Sequence, residues 1–146
     1  MPYQVSWLVP NRIILTRYFG VFTSEDLKAY LDESLQMRDD AIATLGEDGA
    51  LIHTLTDARK LERYTIGFAD VQGMLKSLRQ QRVGWSIFVH PGKMERFFSS
   101  IGHHWTGVRH REFATIEEAI TFLKEDTSLP DFTYVADERD KQSAGE

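Results

Sequence analysis

The sequence predicts an α/β fold, a single domain whose mixed β-sheet of about five strands is flanked by about four helices. Segments rich in β-branched and aromatic residues alternate with segments in which apolar residues recur every three or four positions. The first two strand segments are separated only by a short turn, as in an antiparallel hairpin. The 146 residues are 42% apolar and 27% charged, without cysteine, which is the composition of a globular domain that needs no disulfides.

The first predicted elements are the hairpin and a helix. Residues 3–9 alternate between apolar and polar side chains, and residues 13–21 resume the strand pattern after a turn at Pro10-Asn11-Arg12. Thr23 and Asp26 then form a capping signal, and apolar residues follow at helical spacing. This predicts a helix that ends before the glycines Gly46 and Gly49, which permit the positive φ of a tight exit.

Strands and helices alternate through the rest of the chain. A buried-type strand is predicted from Ala50 to Leu55, ending at Thr56-Asp57, followed by a helix with its apolar stripe from Phe68 to Leu78. The next predictions are a strand over 84–89, a helix over 94–105, a strand over 108–113 and a final helix opened by the capping box of Thr115 and Glu118. The order ββαβαβαβα predicts that the later strands are mostly parallel and that the hairpin makes the sheet mixed.

The composition of the sequence also limits where the protein can be located and which partners it can bind. We expect residues 1–129 to form the α/β domain and residues 130–146 a polar, partly disordered C-terminal tail. No apolar run reaches the roughly 20 residues of a membrane span, so we expect a cytoplasmic protein without integral membrane association. The formal net charge of -5 argues against a nucleic-acid partner, because phosphate binding needs concentrated positive charge.

Motifs with known catalytic chemistry are not found in the sequence. It contains no glycine-rich phosphate loop, nucleophile elbow or His-Glu-x-x-His motif. His104, His110 and Glu112 could form a facial metal set, but His103 and His104 diverge on a helix and His110 alternates with arginines on a strand. We therefore predict neither a metal nor a cofactor, and Asp57 is the one carboxylate at the end of a buried strand.

The predicted loop after the central strand carries the candidate binding residues. Charge, an aromatic ring and a hydroxyl come together there beside a helix N-terminus, on Asp57, Arg59, Lys60, Tyr64, Thr65 and Gly67. Loops at the carboxyl ends of strands are where α/β domains place function. Arginine and tyrosine dominate interface energetics, and Thr65 is the hydroxyl placed to receive a phosphate. A solvated loop capped by Asp57 is the alternative interpretation.

Three segments of the sequence resemble the STAS/SpoIIAA-like family, the last of them its STAS/CRAL-TRIO-like bacterial branch. They are residues 13–26, Leu55-Thr56-Asp57-Ala58-Arg59 and residues 113–119. The resemblance implies a mixed sheet flanked by helices. The best understood members are anti-sigma-factor antagonists with a phosphorylated serine in an Asp-Ser-Ser-Gly pattern. The matching stretch here is Tyr64-Thr65-Ile66-Gly67, so Gly67 aligns and Ile66 occupies the phosphoacceptor position.

The residues and the resemblance together predict a non-enzymatic binding or regulatory module that docks a protein partner or small ligand. One alternative is a carrier of an apolar small molecule or lipid, with a cavity lined by Phe68, Met94, Phe97, Phe98 and Trp105. A further alternative is a hydrolase-type enzyme that uses Asp57 or the late histidines. The oligomeric state is open, and a homodimer is compatible with the sequence.

Overall fold

The five strands that the structure describes form one mixed sheet. The computed structural model describes residues 3–46, 51–65, 67, 69–70, 73, 76, 83–90 and 109–127. The elements are β1 (Tyr3–Val9), β2 (Ile13–Thr23), α1 (Ser24–Leu45), β3 (Ile52–Thr65), β4 (Val83–Val89), β5 (Arg109–Phe113) and α2 (Ile116–Thr127). The strands lie in the order β1-β2-β3-β4-β5. Strand β1 is antiparallel to β2 and the other pairs are parallel, which confirms the predicted mixed sheet.

Local signals place the first turn and the first helix where the sequence predicted them. The turn between β1 and β2 closes with Arg12 N donating to Val9 O at 3.0 Å, and Asn11 has a φ of 62° that asparagine tolerates better than most residues. Asp26 N donates to Thr23 Oγ1 at 3.2 Å while Thr23 N donates to Asp26 Oδ2 at 2.9 Å. This capping box starts α1, which ends at Gly46, where φ is 72°.

The two helices cover opposite faces of the sheet. Neighbouring residues of a strand point to opposite faces, and Ile13 and Ile14 belong to different apolar clusters. The cluster between the sheet and α1 joins Leu27 and Tyr30 of the helix to Tyr3, Phe22, Ala58 and Leu61 of the sheet, and a smaller cluster joins Ala41 to Ile14 and Ile52. The cluster between the sheet and α2 joins Ile116, Ala119 and Leu123 of the helix to Ile13, Leu15, Leu55, Ile87 and Val89 of the sheet. The buried core is therefore two apolar layers separated by the sheet.

The predicted number of helices is not confirmed, because the described residues contain two complete helices. In the region of the second predicted helix, Ala69, Asp70, Gly73 and Lys76 have helical backbone. The predicted helix over 94–105, the tail over 130–146 and all five residues predicted to line a ligand cavity lie outside the described residues. The final helix begins as predicted, with Glu118 N donating to Thr115 Oγ1 at 3.2 Å.

The central strand is longer than predicted, and this corrects the expectation of a loop after Asp57. Strand β3 continues to Thr65 because β2 also runs on to Thr23 and pairs with it. Two register irregularities, one after Asp57 and one after Leu61, each place an extra residue in β3. These bulges break the alternation of apolar and polar residues, and the charged stretch therefore resembles a loop in the sequence. In the structure, Ala58 and Leu61 are buried.

Candidate functional site

The predicted binding residues lie on the last part of β3, at the carboxyl edge of the parallel strands. The last pair between β3 and β4 joins Asp57 to Val89, whereas pairing with β2 continues to Thr65. The segment 58–65 thus extends past the end of β4 as part of a ribbon with β2. It is a paired strand with bulges after Asp57 and after Leu61, so its side chains are presented on backbone that is hydrogen-bonded to β2.

Asp57 and Arg59 form the most tightly bonded part of this edge. Asp57 is 3% exposed. Arg59 donates from Nε to Oδ1 at 2.9 Å and from Nη2 to Oδ2 at 2.8 Å, and its backbone N donates to Oδ1 at 3.1 Å. Both carboxylate oxygens therefore accept hydrogen bonds from one guanidinium, a geometry that fixes orientation as well as charge. The neighbouring strand places a buried cation, Arg17, in register with Asp57.

The remaining predicted residues differ in exposure. The side chain of Arg59 is about one-third exposed, at 34%, and Lys60 is half-buried. Tyr64 is half-buried too, because it packs against the apolar cluster that contains Tyr3 and Phe22. Thr65 and Gly67 are exposed. The structure thus buries Asp57 and presents the other five at least in part, and it adds the exposed residues Glu62 and Arg63, which the sequence-based prediction omitted.

A hydroxyl–carboxylate pair links the end of β3 to both adjoining helical segments. Ser24, the first residue of α1, donates from Oγ to Asp70 Oδ2 at 2.7 Å and lies 3.3 Å from Thr65 O. Gly67 N donates to the same Asp70 oxygen at 3.0 Å, as in a capping interaction three residues apart. The Ser24 hydrogen bond, then that from Gly67, and the charge of Lys28 lower the pKa of Asp70.

Ser24 and Asp70 were missed by the sequence-based prediction. The Gly67 and Asp70 spacing carries a capping signal that could have been found. Nothing local in the sequence marks Ser24, because its partner lies 46 residues away.

Two histidines are buried at opposite ends of the parallel strands. At the carboxyl edge, His90 Nε2 lies 3.8 Å from Glu112 Oε2, and His90 N donates to Phe113 O at 3.1 Å. At the amino edge, Trp85 N donates to His53 Nδ1 at 2.8 Å. Burial, followed by the charges of Arg12 and Arg109, lowers the pKa of His53 to about 4 against the opposing effect of Asp126. His53 is therefore neutral at pH 7.

The described residues contain neither a cluster of side chains able to bind a metal ion nor a helix able to span a membrane. Within that part of the chain, no three His, Asp or Glu side chains lie together in a group able to hold a metal ion. His104 is outside it, and so is the side chain of His110. No described helix has both the length and the apolar character needed to cross a bilayer.

The sequence and the fold of the chain were both compared with known proteins. No protein-family model and no curated protein matches the sequence. An uncharacterised protein of the DUF3478 family from Shewanella loihica PV-4, described as having a SpoIIAA-like fold, is similar with a TM-score of 0.51 and 14% identity over 83% of this chain and 91% of that one.

Two further structures are similar. The anti-sigma factor antagonist SpoIIAA in its unphosphorylated form has a TM-score of 0.52 and 17% identity, covering 84% of this chain and 97% of that one. The Bacillus cell fate determinant SpoIIAA in its phosphorylated form has a TM-score of 0.52 and 20% identity, covering 83% and 98%. The mixed five-stranded sheet with helices described above matches this SpoIIAA-like α/β fold. The chain has the STAS/SpoIIAA-like fold.

Proposed function

We propose that this chain is a non-enzymatic regulatory module that docks a protein partner through the end of β3. The surface, which we call the β3-end surface, comprises Arg59, Lys60, Tyr64, Thr65 and Gly67. The observation that carries the proposal is the extension of β3 beyond β4. This extension presents the polar residues on a strand that is paired with β2 and that packs against the apolar cluster under α1. A surface ordered before binding loses little conformational entropy when a partner docks.

The anchoring of individual side chains supports the same conclusion. Asp57 holds the guanidinium of Arg59 by two hydrogen bonds, and Tyr64 rests on the apolar cluster under α1. Arginine and tyrosine side chains that are held in place and half-exposed are the types that contribute most to protein interfaces.

Charge favours an acidic contact on the partner. Residues 57–65 carry the cations Arg59, Lys60 and Arg63 against the carboxylates Asp57 and Glu62, an excess of one positive charge, although the chain as a whole has a net charge of -5. A local positive patch on a negatively charged protein orients an incoming acidic segment and speeds its association.

The nature of the similar proteins supports regulation over catalysis. The SpoIIAA structures are of an anti-sigma factor antagonist, and they were determined in unphosphorylated and phosphorylated forms. In this chain, both oxygens of Asp57 accept hydrogen bonds from Arg59, so the carboxylate that the enzyme alternative would use is occupied in an ion pair. Thr65 is the exposed hydroxyl at which added negative charge would alter the docking surface.

The test is quantitative affinity capture from extract of the native cells with wild type and a Lys60→Glu/Thr65→Glu variant. We expect the variant to lose a specific partner, because two negative charges replace a cation and a hydroxyl in the contact. Thr44→Glu, at an exposed threonine on α1, is the control for added charge and should retain the partner. Equal melting temperatures for the three proteins exclude unfolding as the cause. Equal recovery of every specific partner by all three would refute the proposed surface.

A further inference from the structure

Among the residues that the structure describes, no strand pairs with the outer edge of β1, and β1 lacks the charges and prolines that usually protect an edge strand. Within the described residues, β1 is the first strand of the sheet and pairs with β2 alone. An edge strand presents a row of backbone N–H and C=O groups to any chain able to pair with it. Natural edges are blocked by charged residues, proline or strong bulges, but Tyr3–Val9 has the sequence YQVSWLV, with neither charge nor proline.

The opposite side of the sheet shows how this chain protects an edge. Strand β5 has the sequence RHREF, and its residues Arg109, Arg111 and Glu112 are exposed. Pairing of β5 with a second strand would require burying or crowding these charges. The difference between β5 and β1 therefore favours β1 as the edge at which another strand is added.

Strand β1 is regular over the length that pairing requires. From Tyr3 to Trp7 its residues pair one to one with residues 18 to 14 of β2, and the irregularity lies between Trp7 and Val9, beside the turn. Val5 and Trp7 are half-buried, and Ser6 is the one exposed residue of the strand. Five residues of regular backbone are the usual length of a strand in a sheet.

We propose that two copies of this chain associate by antiparallel pairing of their β1 strands, which joins two sheets into one. A two-fold axis at Val5 places Gln4 of one copy opposite Ser6 of the other and Tyr3 opposite Trp7, so polar residues meet polar residues and aromatic residues meet aromatic residues. Within the paired strands no like charges are brought together, because β1 has no charged residue. An interface of identical strands is self-complementary, which is the commonest symmetry of protein dimers.

The proposal is tested first with Ser6→Lys and Ser6→Glu. Wild type should have twice the monomer mass of 16.8 kDa by sedimentation equilibrium at the concentrations used for NMR. Each single variant should be monomeric, because the two-fold axis brings its like charges within one diagonal step of each other, roughly 7–8 Å. An equimolar mixture of the two variants should recover the doubled mass, because opposite charges then meet.

A matched control and a distance measurement complete the test. Ala43→Lys adds the same charge at an exposed position of α1 and should remain dimeric. Because the chain has no cysteine, a nitroxide on Ser6→Cys labels only that position, and its spectrum should be strongly broadened by the second label. Dilution with unlabelled protein should remove the broadening. A monomeric wild type, a dimeric Ser6→Lys variant or an unbroadened spectrum would each overturn the proposal.

Discussion

Arg59 donates two side-chain hydrogen bonds to Asp57, its neighbour two positions earlier on the same strand, with donor–acceptor distances of 2.9 and 2.8 Å. A bulge follows Asp57 in the pairing with β2, and Arg59 N also donates to Asp57 Oδ1 at 3.1 Å, so the irregular backbone between the two residues is itself bonded to the carboxylate. The buried carboxylate thereby keeps a counter-ion, and the guanidinium is held where it reaches solvent. One interaction thus stabilises the sheet and shapes the proposed docking surface.

Replacing Arg59 by alanine should destabilise the protein. The substitution leaves Asp57 buried with its negative charge and removes both side-chain hydrogen bonds that it accepts from Arg59. We expect the free energy of unfolding to fall by about 1–3 kcal/mol, the cost of leaving a buried polar group without its partner, measured by urea denaturation. Arg63→Ala, at an exposed position of the same strand, should change it by less than about 0.5 kcal/mol. Equal effects of the two substitutions would contradict the importance of the Asp57 pair.

His53 predicts a pH dependence of stability. Its pKa is about 4 in the folded protein, against the ordinary histidine value of 6.5, so the unfolded chain binds a proton between these values that the folded protein does not. Stability should therefore fall as the pH is lowered from 6.5 to 4, by at most about 3 kcal/mol, and His53 should contribute no change above pH 7. Urea denaturation at half-unit pH steps measures this.

The control for the pH effect is His53→Asn, which keeps a side-chain acceptor near the position of Nδ1 but does not titrate. Its stability should vary less between pH 4 and 6.5 than that of wild type. If both proteins had the same slope, the pH dependence would have to come from other groups.

Gly84 lies against the ring of His53, and this contact predicts a costly substitution. A Cβ at Gly84 would overlap Nδ1 of His53, on a buried ring that already accepts a hydrogen bond from Trp85. Gly84→Ala should cost about 1–3 kcal/mol in thermal or urea unfolding, as overpacking usually does. Gly73→Ala, where an added Cβ would meet nothing within 4 Å, should be neutral or stabilising by up to about 1 kcal/mol, because that residue is helical.

A double-mutant cycle tests the cause of the Gly84 effect. With His53→Ala in the background, the added methyl group at position 84 has space, and the second substitution should cost less than it does alone. Additive costs would show that the ring contact is not the source of the strain.

Ser24 should control the titration of Asp70. The hydroxyl of Ser24 donates to the carboxylate at 2.7 Å and is the largest cause of its lowered pKa. Ser24→Ala should therefore raise the pKa of Asp70, measured by the carboxyl carbon shift in an NMR titration. Ser24→Thr retains a hydroxyl and should leave the pKa close to that of wild type. An unchanged pKa in Ser24→Ala would show that the hydrogen bond does not persist in solution.

Local sequence signals determined where β2 and both described helices begin. The capping box of Thr23 with Asp26 and the N-cap hydrogen bond of Thr115 with Glu118 each act within three residues, and the turn closed between Val9 and Arg12 is equally local. Such signals depend on side chains that meet their own backbone, so they can be recognised without the rest of the fold. The alternation of strands and helices then predicted the mixed sheet.

The tertiary structure alone decided the end of β3 and the surroundings of the candidate site. Residues 58–65 form a strand because β2 pairs with them and two bulges absorb the mismatch, and no pattern within the segment reports on that partner. The hydrogen bonds of Ser24 with Asp70 and of Trp85 with His53 join residues 46 and 32 positions apart. The sequence by itself therefore determined the identity of the candidate residues, while their burial, pairing and exposure followed from contacts between distant segments that only folding brings together.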